Sequence, residues 1–168
     1  MQKKVLTEQS LYYGDVEMPK NWDIDRNKLA EDIIESNNSK KDFPFSKTWD
    51  MLNTYIIEHI NLEYDLLLEN KKMWGNVYEP KERTHTLLEA DLFDFKNSPD
   101  YILLYGVNVK NCFIKIYYDD NGLKGKRYDI ELKNNMFILF PSTNTYTISN
   151  EQAKNLNLIH TITYDENK

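Results

Sequence analysis

Apolar positions along this chain change their period near residue 70. Before it, Trp49, Leu52, Ile56, Ile60, Tyr64 and Leu67 recur at spacings of three and four, and Ile57, Leu62 and Leu66 widen the stripe. That spacing predicts a helix over 47–70, capped by Ser46 and packed over a broad surface such as the outside of a sheet. Lys71 and Lys72 would then complement the carboxyl end of its dipole. A shorter helix runs through Leu29, Ile33 and Ile34, capped by Asp23 or Asp25 and ended by Ser36-Asn37-Asn38-Ser39. Lys40 to Pro44 reads as a loop. Residues 1 to 20 read as an extended arm, with Leu11-Tyr12-Tyr13 followed by the turn signal Gly14-Asp15 and continuation limited by Pro19.

After residue 70 the period is two. Met73-Trp74-Gly75-Asn76-Val77-Tyr78 is a strand ending before Pro80, and 81–95 is less regular. Strands follow at Asp100 to Val109, Cys112 to Tyr118, Lys126 to Leu132, Met136 to Phe140, Thr145 to Ser149 and Leu156 to Tyr164. Pro141 cannot donate to a ladder, so the run Met136 to Phe140 ends or bends there. Asn121-Gly122 is a hairpin signal between Tyr117-Tyr118 and Arg127-Tyr128. Six or seven closely spaced strands after two helices predict an antiparallel sandwich or barrel with helical support on one face. The expected organisation is a single domain over 1–168, with arm and helices in 1–70 and the β core in 71–165.

Composition narrows the class. At 168 residues, with 40% hydrophobic and 13% aromatic residues, the chain is long enough and apolar enough to bury a core. A net charge of −6 argues against duplex nucleic acid as a partner, because phosphate needs clustered cations. The short basic pieces Lys71-Lys72 and Lys124-Gly125-Lys126-Arg127 do not outweigh that acidity. Cys112 is the only cysteine, which excludes an internal disulfide and a thiolate-rich zinc site and suits a reducing compartment. No apolar run approaches the roughly 20 residues that cross a bilayer. The expected location is cytoplasmic, with no membrane partner.

Candidate chemistry starts from three histidines, His59, His85 and His160. His59 lies mid-helix one turn before Glu63, the place for a surface ion pair or a cap-like contact. His85 stands in a polar loop, with Glu89 and Asp91 following on one face of the next extended segment. A facial iron site needs two imidazoles and one carboxylate. His85, Asp91 or Glu89, and His160 supply those types at loose spacing. The alternative is a solvated loop histidine and a strand histidine satisfied by a neighbour. Cys112 opens an apolar strand and reads as a packed thiol. Ser142 has no nucleophile-elbow context, the five glycines form no phosphate loop, and Asp119-Asp120 belongs to a turn.

Trp74-Gly75-Asn76-Val77-Tyr78-Glu79-Pro80, Tyr101-Ile102-Leu103-Leu104-Tyr105-Gly106, and Phe140-Pro141-Ser142 ahead of Thr161-Ile162-Thr163-Tyr164 resemble the 2-oxoglutarate/Fe(II)-dependent oxygenases of marine phages and bacteria. The resemblance covers about residues 70 to 165 and the layout of the helices before them. It implies a double-stranded β-helix (jelly-roll, cupin-like) with two supporting N-terminal helices. For active members it also implies iron on a His-x-Asp/His pair and a distal histidine, with an Arg or Lys gripping the cosubstrate carboxylate. Carried over, the distal position falls on Tyr146 or a neighbour. The paired ligands fall near Leu87, Leu88, Glu89 and Ala90, and the carboxylate-gripping cation near Asn157 to Ile159, where there is none.

The expectation is therefore an oxygenase-like jelly roll whose iron triad is lost. It acts as a non-catalytic binding or structural module in a phage-associated setting, with no cofactor. Its barrel mouth, near Tyr105, Lys115, Tyr117, Arg127 and Tyr146, would take a small polar ligand or a protein partner, unless those residues are strand filler. A first alternative is a divergent hydroxylase. It would use Fe(II) and 2-oxoglutarate, with His85, Asp91 and His160 on the metal and Lys115 or Arg127 on the carboxylate. A second is an oligomeric phage structural subunit, assembled from copies of the chain.

Overall fold

Among the described residues, seven strands follow two helices and one precedes them. The computed structural model describes residues 2–4, 8–20, 23–39, 46–118 and 125–167. Lys40 to Pro44, Asp119-Asp120 and Asn121-Gly122 lie outside them. The elements are β1 (Tyr12–Asp15), α1 (Arg26–Ser39), α2 (Lys47–Tyr64), β2 (Leu68–Tyr78), β3 (Tyr101–Asn108), β4 (Cys112–Tyr118), β5 (Lys126–Leu132), β6 (Met136–Pro141), β7 (Tyr146–Ser149) and β8 (Asn157–Glu166).

Both helices start where the caps predict. Asp25 accepts from the backbone of Lys28 at 3.0 Å, and Ser46 accepts from Trp49 at 3.5 Å. Trp49, Leu52, Ile56 and Ile60 are buried, as the stripe requires. The second helix is shorter than predicted. Asp65 turns left-handed at φ 52°, and from Leu68 the chain pairs with β8 in the register Leu68↔Glu166. Leu66, Leu67 and Leu68 are good helix formers, so strand pairing has overridden propensity there. Leu62, which the predicted stripe included, is 85% exposed. Lys71 and Lys72 belong to β2, and Lys71 meets Asp165 at 3.3 Å in place of the helix end.

The strands form a five-stranded sheet, ordered β1-β6-β3-β8-β2, and a three-stranded sheet, ordered β5-β4-β7, with every neighbour antiparallel. Gly14 and Asp15 make no turn; they continue β1 opposite Phe137 and Met136. Residues 81–87 lie along β7 as an irregular fourth strand of the small sheet, with Leu87 and Tyr146 exchanging backbone bonds of 2.8 and 3.0 Å. Two facing sheets in this order make the double-stranded β-helix, with helices α1 and α2 outside the large sheet.

The central strands of the large sheet, β6, β3 and β8, serve two cores. Leu103, Tyr105, Phe137, Leu139, Leu158, Ile162 and Tyr164 pack outward against Leu29, Ile33, Trp49, Leu52 and Ile56. Ile102, Leu104, Ile138, Phe140 and Ile159 pack inward against Ile114, Ile116, Tyr146 and Ile148. A strand covered on both faces is a continuous apolar run, which is why β3 and β6 lack alternation.

Candidate functional site

The inward face of the large sheet turns polar at its β2 edge. Tyr78 packs on the inner core, so Asn76, Trp74 and Lys72, at steps of two, face the same way. Opposite them in register stand Ile159, Thr161 and Thr163 of β8. Asn76 Nδ2 donates to Thr161 Oγ1 at 3.3 Å. Leu87 also faces the inner core, which points Glu89 inward two residues later. There its carboxylate accepts the Tyr146 hydroxyl at 2.8 Å. Burial, with the Glu89 charge beside it, holds the Tyr146 phenol far above its ordinary range. A cavity of about 270 Å³ opens next to this pair, lined by Lys72, Trp74, Glu89, Asp91, Asp94 and Thr163 among others. Thr163 is 3% exposed, and its Oγ1 has no hydrogen-bond partner among the described residues.

The predicted metal set is not brought together. His160 sits on the outward face of β8, its ring 4.7 Å from that of Trp49 and its Nε2 2.9 Å from Asn53 Oδ1. His85 is exposed. Asp91 is exposed as well and accepts from the backbone of Phe93 at 2.8 Å. No three His, Cys, Asp or Glu side chains among the described residues are grouped to hold a metal ion. Strand parity is the reason. Ile159, Thr161 and Thr163 face into the roll, so His160 between them faces the helices. His59 packs edge-on against Phe137 with ring centres 5.8 Å apart.

The predicted ligand mouth is likewise dispersed. Tyr105 lies under the helices, donating to Asn135 at 2.9 Å with Arg26 at 3.5 Å from its hydroxyl. Ile114 and Ile116 face the inner core, so Lys115 and Tyr117 point away from it on the far side of the small sheet. Arg127, opposite Tyr117, pairs with Asp129 at 2.7 Å. Only Tyr146 of the five reaches the interior. Cys112 is buried, and burial pushes its thiol up to about 12, the inert state expected of a packed cysteine.

The residues that sequence reasoning missed are Lys72, Trp74, Asn76 and Thr163. The alternation Lys72-x-Trp74-x-Asn76-x-Tyr78 was the available signal, a strand face carrying polar groups where its other face carries Met73 and Val77.

His160 carries a pH consequence. Complete burial lowers it to about 3, against an opposing hydrogen bond with the Trp74 backbone. Unfolded, it titrates near 6.5. Between those values the unfolded chain binds the extra proton, so stability is full above 6.5 and falls as pH drops toward 3. The expected slope from this group is roughly 1 kcal/mol per pH unit. Urea unfolding between pH 7 and 4 should show it, and His160→Gln should flatten it; an equal slope in the variant removes the assignment.

Comparison with known proteins gives the fold its name. No protein-family model matches the chain, and no curated protein matches it. Among solved structures, a Pseudomonas putida prolyl-4-hydroxylase superposes with a TM-score of 0.64 at 14% identity, covering 95% of this chain and 88% of its own. The non-haem α-ketoglutarate-dependent epimerase SnoN of nogalamycin biosynthesis gives 0.65 at 9% identity, covering 93% and 77%. The carbocyclase SnoK gives 0.62 at 8%, covering 94% and 79%. SnoN has been crystallised with Fe³⁺ and α-ketoglutarate. The chain has the double-stranded β-helix fold of 2-oxoglutarate/Fe(II)-dependent oxygenases.

Iron and an oxoacid are what the neighbour SnoN holds on this fold, and the donors present here do not fit the iron. Facing the roll are the Glu89 carboxylate, the Tyr146 phenol and threonine hydroxyls, whereas this iron chemistry rests on two imidazoles and a carboxylate. His59 and His160 pack on the helix side of the large sheet, and His85 is exposed. β8 (Asn157–Glu166) contains no Lys or Arg, so it offers no bidentate or ionic grip on a cosubstrate carboxylate. In the membrane sense, no helix among the described residues is long and apolar enough to span a bilayer.

Proposed function

We propose that this chain uses an oxygenase scaffold as a binding module, without iron chemistry, in a cytoplasmic and phage-associated setting. One observation carries the reading. Within the stretches where the resemblance places metal ligands, near Leu87 to Ala90 and at Tyr146 or a neighbour, Glu89 and Tyr146 are hydrogen-bonded to each other at 2.8 Å. The carboxylate is satisfied by the phenol, and Tyr146, 3% exposed, cannot readily shed its proton to become a ligand. Glu89 also lines the cavity beside the pair, which serves as the receptor in this reading. Its walls differ in sign, with Lys71 and Lys72 on β2 facing Glu89, Asp91 and Asp94. Trp74 offers an apolar face, and the Thr163 hydroxyl an unmet polar contact. Such a mixture suits a small polar molecule that carries both charges and some apolar surface.

A fragment screen by protein-observed NMR tests it. Zwitterionic fragments should move amide signals of Trp74, Glu89 and Thr163 together, and Glu89→Gln should weaken them about tenfold, the loss of one charge-assisted bond. Shifts confined to other surfaces, or none at all, would remove the cavity as the receptor.

A further inference from the structure

A second cavity lies where the edges of the two sheets part. β1 ends the large sheet and β5 the small one. Each edge turns a tyrosine toward the roll. Tyr13 stands in register with Ile138 and Tyr128 with Ile116, and both isoleucines belong to the inner core. The two hydroxyls are hydrogen-bonded, which links one sheet edge to the other. Tyr13, Ile116, Tyr118, Tyr128, Phe140 and Asn144 line a cavity of about 350 Å³ there, within the size of small-molecule sites. Among the described residues it shares no lining side chain with the cavity at the β2 edge.

The lining selects a chemistry. No Asp, Glu, Lys, Arg or His is among the described residues that form it. Lys115 and Arg127, next in sequence to lining positions, point to the other face of the small sheet. A charged guest would lose its hydration and gain no ionic partner, so a neutral one is favoured. Four of the walls are aromatic rings, which hold a ring between them through edge and offset contacts. One polar contact is unmet. Asn144, 7% exposed, donates through Nδ2 to the Tyr117 carbonyl at 3.1 Å, which leaves Oδ1 as the free end of the amide. That oxygen has no hydrogen-bond partner among the described residues. A buried acceptor without a donor is unfavourable, and a guest with an N–H or O–H relieves it.

We propose that this cleft binds a neutral aromatic small molecule that carries a hydrogen-bond donor. Its ring lies among Tyr13, Tyr118, Tyr128 and Phe140, and its donor meets Asn144 Oδ1. The site is independent of what the β2-edge cavity binds, and the two select opposite chemistries. Lysines and carboxylates line the one, and uncharged side chains the other.

Titration of the full chain with indole, followed by protein-observed NMR, tests it. Indole is neutral and aromatic and has one N–H. It should bind saturably, moving the amide signals of Ile116, Tyr118, Tyr128 and Asn144 together while those of Trp74 and Thr163 stay in place. Benzofuran has the same shape without the donor and should bind about tenfold more weakly. Tryptamine and indole-3-acetate add a charge of either sign and should each lose about tenfold or more. Tyr128→Ala, at a half-exposed position that leaves the thermal melt little changed, should weaken indole about tenfold through the lost ring contact. No saturable shift up to the solubility limit of indole, or shifts confined to other faces, would overturn the proposal. So would benzofuran or the charged analogues binding as tightly as indole, or a folded Tyr128→Ala chain that binds it normally. The two cavities report through different amides, so failure here leaves the reading of the β2-edge cavity in place.

Discussion

Trp49→Ala should destabilise the protein by about 3–5 kcal/mol, the range for deleting a large buried aromatic. Trp49 is fully buried on α2, at the seam where both helices meet the large sheet. Its ring packs 4.7 Å from His160, and its Nε1 donates to Asp32 Oδ2 at 3.0 Å. Asp32 is itself 5% exposed and also receives Lys28 at 2.7 Å. The substitution therefore opens a cavity and strips a buried carboxylate of one donor at once, two penalties that add. Set against a total of about 5–15 kcal/mol for an ordinary domain, the loss takes a third or more of the stability. Trp49→Phe keeps most of the ring and should cost only about 1–3 kcal/mol, the price of the unmet polar group. Urea titration gives both values from the midpoint at constant m. A Trp49→Ala chain within about 1 kcal/mol of wild type would mean that the helices do not anchor here.

Gly106→Ala should come second. A Cβ at Gly106 would stand 2.1 Å from the Lys133 carbonyl oxygen, which is backbone and cannot swing away. That carbonyl accepts from Met136 at 3.2 Å, and Gly106 itself accepts from Asn135 at 2.9 Å. Asn135, held at φ 63°, also ties Tyr105 and Val16 to the same corner through its side chain. Either β3 moves away from the β5–β6 turn or the turn opens. The expected cost is at or above the upper end of roughly 1–3 kcal/mol, a fall in Tm of about 5–10 °C. Gly14→Ala is the control. Its Cβ would find the Phe137 ring at 3.7 Å, an ordinary contact, and the melt should barely change. Equal behaviour of the two variants would show that close approach at Gly106 is not what the corner depends on.

How far the sequence carried this structure depended on what each residue could signal. Cys112–Tyr118 and Lys126–Leu132 have the predicted limits because turn residues bound alternating runs on a sheet with one open face. Ser46 and Asp25 mark helix starts by a local bond that needs no tertiary partner. The carboxyl end of α2 was hidden, since Leu66-Leu67-Leu68 satisfies a helical stripe as well as it opens a strand. Only the pairing with Glu166, about a hundred residues away, decides between them.

The candidate site was half legible for a related reason. Leu158 to Tyr164 is buried on both faces, so nothing in its composition says which side His160 takes. Pairing with β2 and β3 fixes that parity, and it turned the one buried imidazole toward Trp49 and Asn53. Tyr146 was found because the corner at Pro141 placed it, while Glu89 took on meaning only when Leu87 paired with it across the small sheet. Lys115, Tyr117 and Arg127 share the outer face of the small sheet, Tyr105 lies under the helices, and only Tyr146 enters the roll. A list of suitable types does not contain that information.

The proposed function rests on a roll interior that holds a phenol–carboxylate pair and no iron site. Anaerobic equilibrium dialysis against Fe(II), with and without 2-oxoglutarate, tests it most directly. The account predicts iron well below one per chain at concentrations that load working oxygenases, no increase with the oxoacid, and no succinate formed in air. One iron per chain, raised by 2-oxoglutarate and lost in Glu89→Ala or His160→Ala, would contradict it.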